Sequence, residues 1–252
     1  MIAPLDGLAI FAAGLAAGTI NTVVGSGSLI TFPTLLALGY PPVLANVSNN
    51  IGLVPGSISG VVGYRRELKG QRARIARLSL ASLAGGLLGA VLLLVLPGSV
   101  FRHVVPVLIL AACALVVIQP RLSRRMASGR GDAAPQVGAI LLATVFATGV
   151  YGGYFGAAQG VILITLLAIF LDDDLQRLNA AKNVLALLVN GIASIVFILV
   201  TSVDWTVVAL IAGGSIIGGQ LGATVGRRLP RPALRAVIIV VGLIAAIRLL
   251  AS

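Results

Sequence analysis

Long apolar runs recur along the whole sequence, and they restrict the fold more than any other feature. Leu78 to Leu96 and Ala233 to Leu250 approach the roughly 20 residues that cross about 30 Å of hydrocarbon. A secretory leader would supply one such run near the start, whereas here they continue throughout. Apolar residues fill 58% of the 252 positions and charged residues only 10%, against about 25% charged in soluble domains. No water-soluble fold hides that much apolar surface. The expected class is an all-α integral membrane protein.

The chain also repeats itself. At a shift of 135, Phe11, Ala12, Gly14 and Gly18 meet Phe146, Ala147, Gly149 and Gly153. After a two-residue slip, Gly27, Asn46 and Asn50 meet Gly160, Asn179 and Asn183, and Gly85, Gly86, Gly89, Pro97 and Arg102 fall on Gly218, Gly219, Gly222, Pro230 and Arg235. Residues 1–119 and 137–252 thus read as two transmembrane repeats joined by a basic linker, 120–136. Each divides into five apolar segments: 5–22, 26–39, 42–64, 78–96 and 103–119, then 137–156, 159–171, 178–200, 205–226 and 233–250. The second segment of each half, about 14 residues long, suits a re-entrant or broken helix better than a full crossing.

Loops 65–77, 120–136 and 227–235 hold 6 + 4 + 4 = 14 of the 18 basic residues, which predicts that all three are cytoplasmic. The repeat equivalent of 227–235 lies near 94–102, and that of 65–77 is the nearly uncharged 201–204, so equivalent loops fall on opposite sides. Two halves with inverted topology follow, the architecture of many secondary transporters. The net charge of +11 then reflects loop placement. Nucleic-acid binding is not expected, because a basic groove would need interleaved aromatics, which are only 5% here.

Catalysis and metal chemistry find little support. Cys113 and His103 are the single cysteine and histidine, so no Cys or His cluster for a metal can be assembled, and a Ser-His-Asp triad is not expected at His103 beside a short loop. Cys113 reads as lipid-facing or packed, and His103 as a helix-end residue. No cofactor and no enzymatic activity are expected. The expected partners are the bilayer and a small anion, with a homodimer left open as the assembly.

Two paired constellations carry the candidate chemistry. Ala17 to Pro33, AGTINTVVGSGSLITFP, places Asn21, Gly25, Ser26, Gly27 and Ser28 inside an apolar region. Broken backbone at that depth is tolerated only in a protein interior or beside a cavity. A helix starting at Ser28 would turn free amides and a positive dipole end toward an anion. Its counterpart, YGGYFGAAQG, runs from Tyr151 to Gly160 and carries Gly156, Gln159 and Gly160. Close packing of small residues is the competing reading.

The second pair is ANVSNN, with Asn46, Asn49 and Asn50, against NAAKN, with Asn179, Lys182 and Asn183. The i, i+4 spacing puts each Asn pair on one helical face, and carboxamides are costly toward lipid, so they should turn inward. Lys182, equivalent to Asn49, offers a positive charge to an anion; the competing reading is a lysine that snorkels to the interface. Ser57 and Asn190, equivalent by the repeat, either line the same path or join helices, and Pro55 should kink the third segment. Asp172, Asp173 and Asp174 read as a helix cap and solvated turn. No intramembrane Asp or Glu stands out, which favours an anion over a cation.

At these residues the sequence resembles the sulfite exporter TauE/SafE family of membrane transporters. The resemblance rests on AGTINTVVGSGSLITFPTLLALGYPP and ANVSNN in the first half and on GGYFGAAQGVILI and NAAKN in the second, and extends over essentially the whole chain. It implies a bacterial or archaeal inner-membrane transporter of sulfite, organosulfonates or related small anions, often outward. The family's glycine-rich turn falls on Gly25, Ser26, Gly27 and Ser28, and its second-half motif on Gly156, Gln159 and Gly160. Where family members commonly show an unbroken glycine run, this chain has serines in the first turn and AAQG in the second. The expected function is an alternating-access carrier of a small sulfur-containing anion, with a carrier of another organic anion such as a carboxylate, or a passive channel, as alternatives.

Overall fold

The computed structural model describes residues 2–127, 137–225, 236, 239–244 and 246–247. Among them the helices are α1 (Pro4–Val23), α2 (Ser28–Ala37), α3 (Pro42–Gly63), α4 (Arg72–Val95), α5 (Gly98–Ala127), α6 (Ala139–Tyr154), α7 (Gln159–Phe170), α8 (Leu175–Val200) and α9 (Trp205–Thr224). The described residues from 236 to 247 are also helical, and no strand occurs among the described residues. The basic stretch 227–235, with Pro230 and Arg235, and residues 128–136 of the linker lie outside the described residues.

Local chemistry explains most boundaries. Pro4 and Pro42 open α1 and α3, where a missing N–H costs nothing. Asp174 caps α8 by accepting from the Gln176 amide, and Asp204 caps α9 by accepting from the amides of Thr206 and Val207. Helices α1, α4, α8 and α9, with α5 as far as Ile118, are long and apolar enough to cross a membrane. The protein is an all-α, multi-pass membrane protein. Helices α2 and α7, with 10 and 12 residues, reach only about 15 and 18 Å.

Glycines set the packing. Helix α1 lies along α9 in the same direction: a Cβ at Gly14 or Gly18 would come within 2.7 Å of Ile211 O or 2.4 Å of Ser215 O. In return, Gly214 and Gly218 press on the carbonyls of Phe11 and Leu15. Helix α4 meets α6 in the same manner, with Gly85 on Phe146 O, Gly89 on Val150 O, Gly149 on Ser82 O and Gly153 on Gly86 O. Without a water-driven term between helices in lipid, such close backbone approach supplies the attraction.

These contacts correct one register of the repeat. Gly85 lies on Phe146 O and its equivalent Gly218 on Leu15 O, a difference of 146 − 15 = 131, and the pairs Gly89–Val150 and Gly222–Thr19 give the same value. The positive-φ turns at Gly25 and Gly156 agree. Phe146 therefore corresponds to Leu15, one helical turn past the Phe11 expected from sequence. The fourth segments keep the expected shift of 133, since Gly86 packs on Val189 and Ile192 where Gly219 packs on Gly56 and Ser59.

One end of the bundle is held by charge. Asp173 accepts from Arg74 at 2.7 Å and from Arg177 at 2.8 Å, while Arg177 also reaches Lys69 O at 3.2 Å. The start of α4 is thus tied to the α7–α8 turn. Cys113 packs inside, where a Cβ on Gly242 would meet its Sγ, so of the two expected settings it takes the packed one. His103 is exposed in the second turn of α5, its Nδ1 2.7 Å from Ser99 O.

Candidate functional site

The site forms where two helical hairpins touch. After α1 the chain turns at Gly25, with φ +91°, and Gly27 comes back against the carbonyl of Ala17, so α2 returns along α1. After α6 it turns through Gly156, φ +77°, and Ala158, φ +57°. Positive φ suits glycine, while for the buried alanine it is a strained conformation. The two turns are in backbone contact: Gly160 N donates to Gly25 O at 3.0 Å. A Cβ on Gly25 would lie 2.4 Å from Gly160 Cα, and one on Gly160 2.5 Å from Gly25 Cα. Side chains are excluded from both positions.

Helix α8 grips the end of α1. Lys182 Nζ donates to Asn21 O at 3.0 Å and Thr22 O at 3.4 Å, and the amides of Asn179 and Asn183 donate to Thr22 O at 3.1 and 3.4 Å. The last carbonyls of a helix have no intrahelical partner and carry its negative dipole end, so a buried ammonium and two carboxamides satisfy them. Lys182 is 1% exposed and does not snorkel. Among the described residues no carboxylate lies within ion-pair distance of it. In the other half Asn46 Nδ2 donates to Tyr154 O, the last residue of α6, at 3.1 Å. Asn49 accepts from Thr31 and donates to Ser28 Oγ at 3.2 Å, and Asn50 accepts from Ser194 at 2.9 Å.

Beside the gripped end lies a small cavity lined by Asn21, Thr22, Gly25, Ser57, Lys182, Asn183 and Ala186, with about 10 Å³ open to a water-sized sphere. That is room for a single water. Ser26 Oγ and Gln159 Nε2 are buried nearby in sequence, at the hairpin turns, and neither makes a hydrogen bond among the described residues; nor do the side-chain oxygens of Asn46 and Asn179. Such groups cost about 1–3 kcal/mol each.

Of the residues singled out from sequence, Asn21, Gly25, Lys182 and Asn183 meet at the cavity and Gly160 touches its edge. Ser26, Gly27, Ser28, Gly156 and Gln159 make up the turns. Asn46, Asn49, Asn50 and Asn179 join helices instead of lining the cavity. Ser57 lines it; Asn190, though buried, does not. The two helix starts also differ. At α7 the amides of Gln159, Gly160 and Val161 are taken by Gly156 O, Gly25 O and Ala158 O, whereas those of Gly27 and Ser28 at α2 have no partner among the described residues. Thr22 and Ala186 escaped the sequence reading. The carbonyl of Thr22, which takes three donors, has no side-chain signature.

Helical hairpins that meet inside a bundle of membrane-crossing helices, around a buried cation and uncharged polar groups, define a polytopic membrane protein with a polar interior site. The chain belongs to the sulfite exporter TauE/SafE family, whose model matches residues 10–249. It is similar to a probable membrane transporter protein of Haemophilus influenzae, 29% identical over 235 residues and covering 90% of each chain. It also resembles the probable membrane transporter protein YfcA of Escherichia coli K12, 26% identical over 240 residues, or 92% of this chain and 86% of that one. No solved structure gives a significant match.

Proposed function

We propose that this protein is a secondary carrier that moves sulfite, an organosulfonate or a related small sulfur-containing anion outward across a bacterial inner membrane by alternating access. Lys182 carries the reading. It is a buried cation beside a cavity with no carboxylate partner among the described residues, so an entering anion supplies the counter-charge that the chain withholds. The unpaired donors of Ser26 and Gln159 and the free amides at the start of α2 suit the oxygens of such an anion. The description of the family as sulfite exporters favours sulfur among anions.

In this reading the repeats, 1–119 and 137–252, are inverted in the membrane, with the basic loops in the cytoplasm. The reciprocal packing of α1 on α9 and α6 on α4 supports two exchangeable halves. A cavity with room for one water favours a closed state of a carrier over a continuous channel. The substrate then enters only when the hairpin turns at Gly25 and Gly160 part.

The test is uptake of labelled sulfite and of a small sulfonate into proteoliposomes, with Lys182→Ala alongside. Saturable uptake abolished by the substitution is expected. No uptake of either anion by folded protein, with uptake of a small carboxylate instead, would overturn the sulfur assignment.

A further inference from the structure

A second cavity lies outside the bundle's polar centre. It is bounded by the 64–71 loop, the first turns of α4 and the middle of α8, and has a volume of about 400 Å³. Arg65, Lys69 and Arg72 stand on it, all exposed, above an apolar floor that includes Leu68, Ile75 and Val184. We propose that this groove binds one anionic phospholipid, its phosphate held by the three cations and an acyl chain lying on the floor.

The charges are uncommitted. The neighbouring Arg74 and Arg177 share the carboxylate of Asp173, whereas Arg65, Lys69 and Arg72 have no carboxylate partner among the described residues. Helix α4 starts there with no acidic residue in its first turn and no side-chain cap from Gln71. Cations at the positive end of a helix dipole repel it, and a phosphate offsets both charges. The depth suits a lipid better than a soluble anion. Val184 lies nine residues past Leu175, about 13 Å along α8, so the floor descends from a charged rim into the apolar zone. This groove is also distinct from the central cavity, because Val184 and Lys182 are two residues apart and so point to nearly opposite faces of α8. Basic pockets between membrane helices commonly hold acidic headgroups.

Native mass spectrometry of the full chain in detergent tests the assignment, with phosphatidylglycerol and phosphatidylcholine of matched acyl chains as probes. The wild type should retain phosphatidylglycerol in preference. The triple variant Arg65→Gln, Lys69→Gln, Arg72→Gln should lose at least about tenfold in retention, and Arg66→Gln, an exposed arginine off the groove, should not. Val184→Trp, which fills the floor and keeps every charge, should lose retention too and carries the test if the triple variant fails to fold. Equal retention of phosphatidylcholine, unchanged binding in the variants, or an equal loss with Arg66→Gln would overturn the site. Displacement of phosphatidylglycerol by millimolar inorganic phosphate would assign the groove to a soluble anion and overturn the lipid.

Discussion

Lys182 Nζ lies 3.0 Å from the carbonyl oxygen of Asn21, so a buried ammonium on α8 closes the last turn of α1. The same ammonium faces the cavity. Two of its three protons go to Asn21 O and Thr22 O, which leaves one donor. In the proposed function an entering anion would compete with the end of α1 for this group, and that competition would couple occupancy to the position of the hairpin.

Substitutions separate the two roles. Lys182→Gln keeps a donor for the α1 carbonyls and removes the charge, so it should unfold within about 2 kcal/mol of wild type yet fail to take up anion. Asn179→Ala removes only a helix-joining bond, at about 0.6 kcal/mol, and should leave the KM for the anion unchanged. Thermal unfolding in detergent and proteoliposome uptake give both readouts; uptake by Lys182→Gln at the wild-type rate would remove the charge from the mechanism.

The contact between Gly25 and Gly160 predicts a sharp positional effect. Gly160→Ala places a methyl 2.5 Å from Gly25 Cα, and such overpacking costs about 1–3 kcal/mol. Gly25→Ala adds the strain of its positive φ. Gly191→Ala, where nothing lies within 4 Å, should instead be neutral or gain up to about 1 kcal/mol from helix propensity. The order of melting temperatures checks this.

Gln159→Leu tests the unpaired donor at the second turn. Removing a buried amide without a partner should hold or raise stability by about 1 kcal/mol. Anion affinity should fall, seen as a raised KM in uptake. A stabilised variant with unaltered KM would place Gln159 outside the substrate's reach.

Acid should act on the charged end of the bundle. Burial pushes the Asp173 carboxyl up, but hydrogen bonds from Arg74, the Asp174 amide and Arg177, with the charge of Arg74, outweigh it and hold the group below the ordinary carboxylate range. A depressed folded value means that Asp173 contributes stability above its unfolded value, near 3.8, and loses it as pH falls through the folded one. Unfolding of the wild type in detergent should be insensitive to this group near neutrality and weaken below about pH 4. Asp173→Asn should lack that acid-dependent component.

Much of the fold was legible because lipid imposes one rule on every crossing segment. The apolar segment expected over 42–64 is α3 at Pro42–Gly63, and the short one expected over 159–171 is α7 at Gln159–Phe170. The helix breaks were equally visible, as glycines at Gly25 and Gly156 where the backbone needs positive φ. The register of the first segments was not. The shift of 135 expected for them and the observed 131 differ by four residues, about one helical turn, which keeps the same face and lets glycines four apart match in either alignment. The cavity shows a second limit. Asn49 and Lys182 occupy equivalent positions, yet Asn49 bonds within its own half and Lys182 across to α1, because the acceptors are backbone carbonyls that any residue supplies.

The pairing of α1 with α9 bears on how the protein is made. Gly14 leaves the ribosome 197 residues before its partner Ile211 (211 − 14), a wait of roughly 10–40 s at about 5–20 residues per second. During that interval the first helix sits in the bilayer with its glycine face uncovered, and α2 and α3 cannot complete their surroundings. On the proposed division into 1–119 and 137–252, neither half is then expected to fold by itself. Two fragments divided within 128–136 should accumulate only when synthesised in the same cell, each sheltering the other from membrane proteolysis.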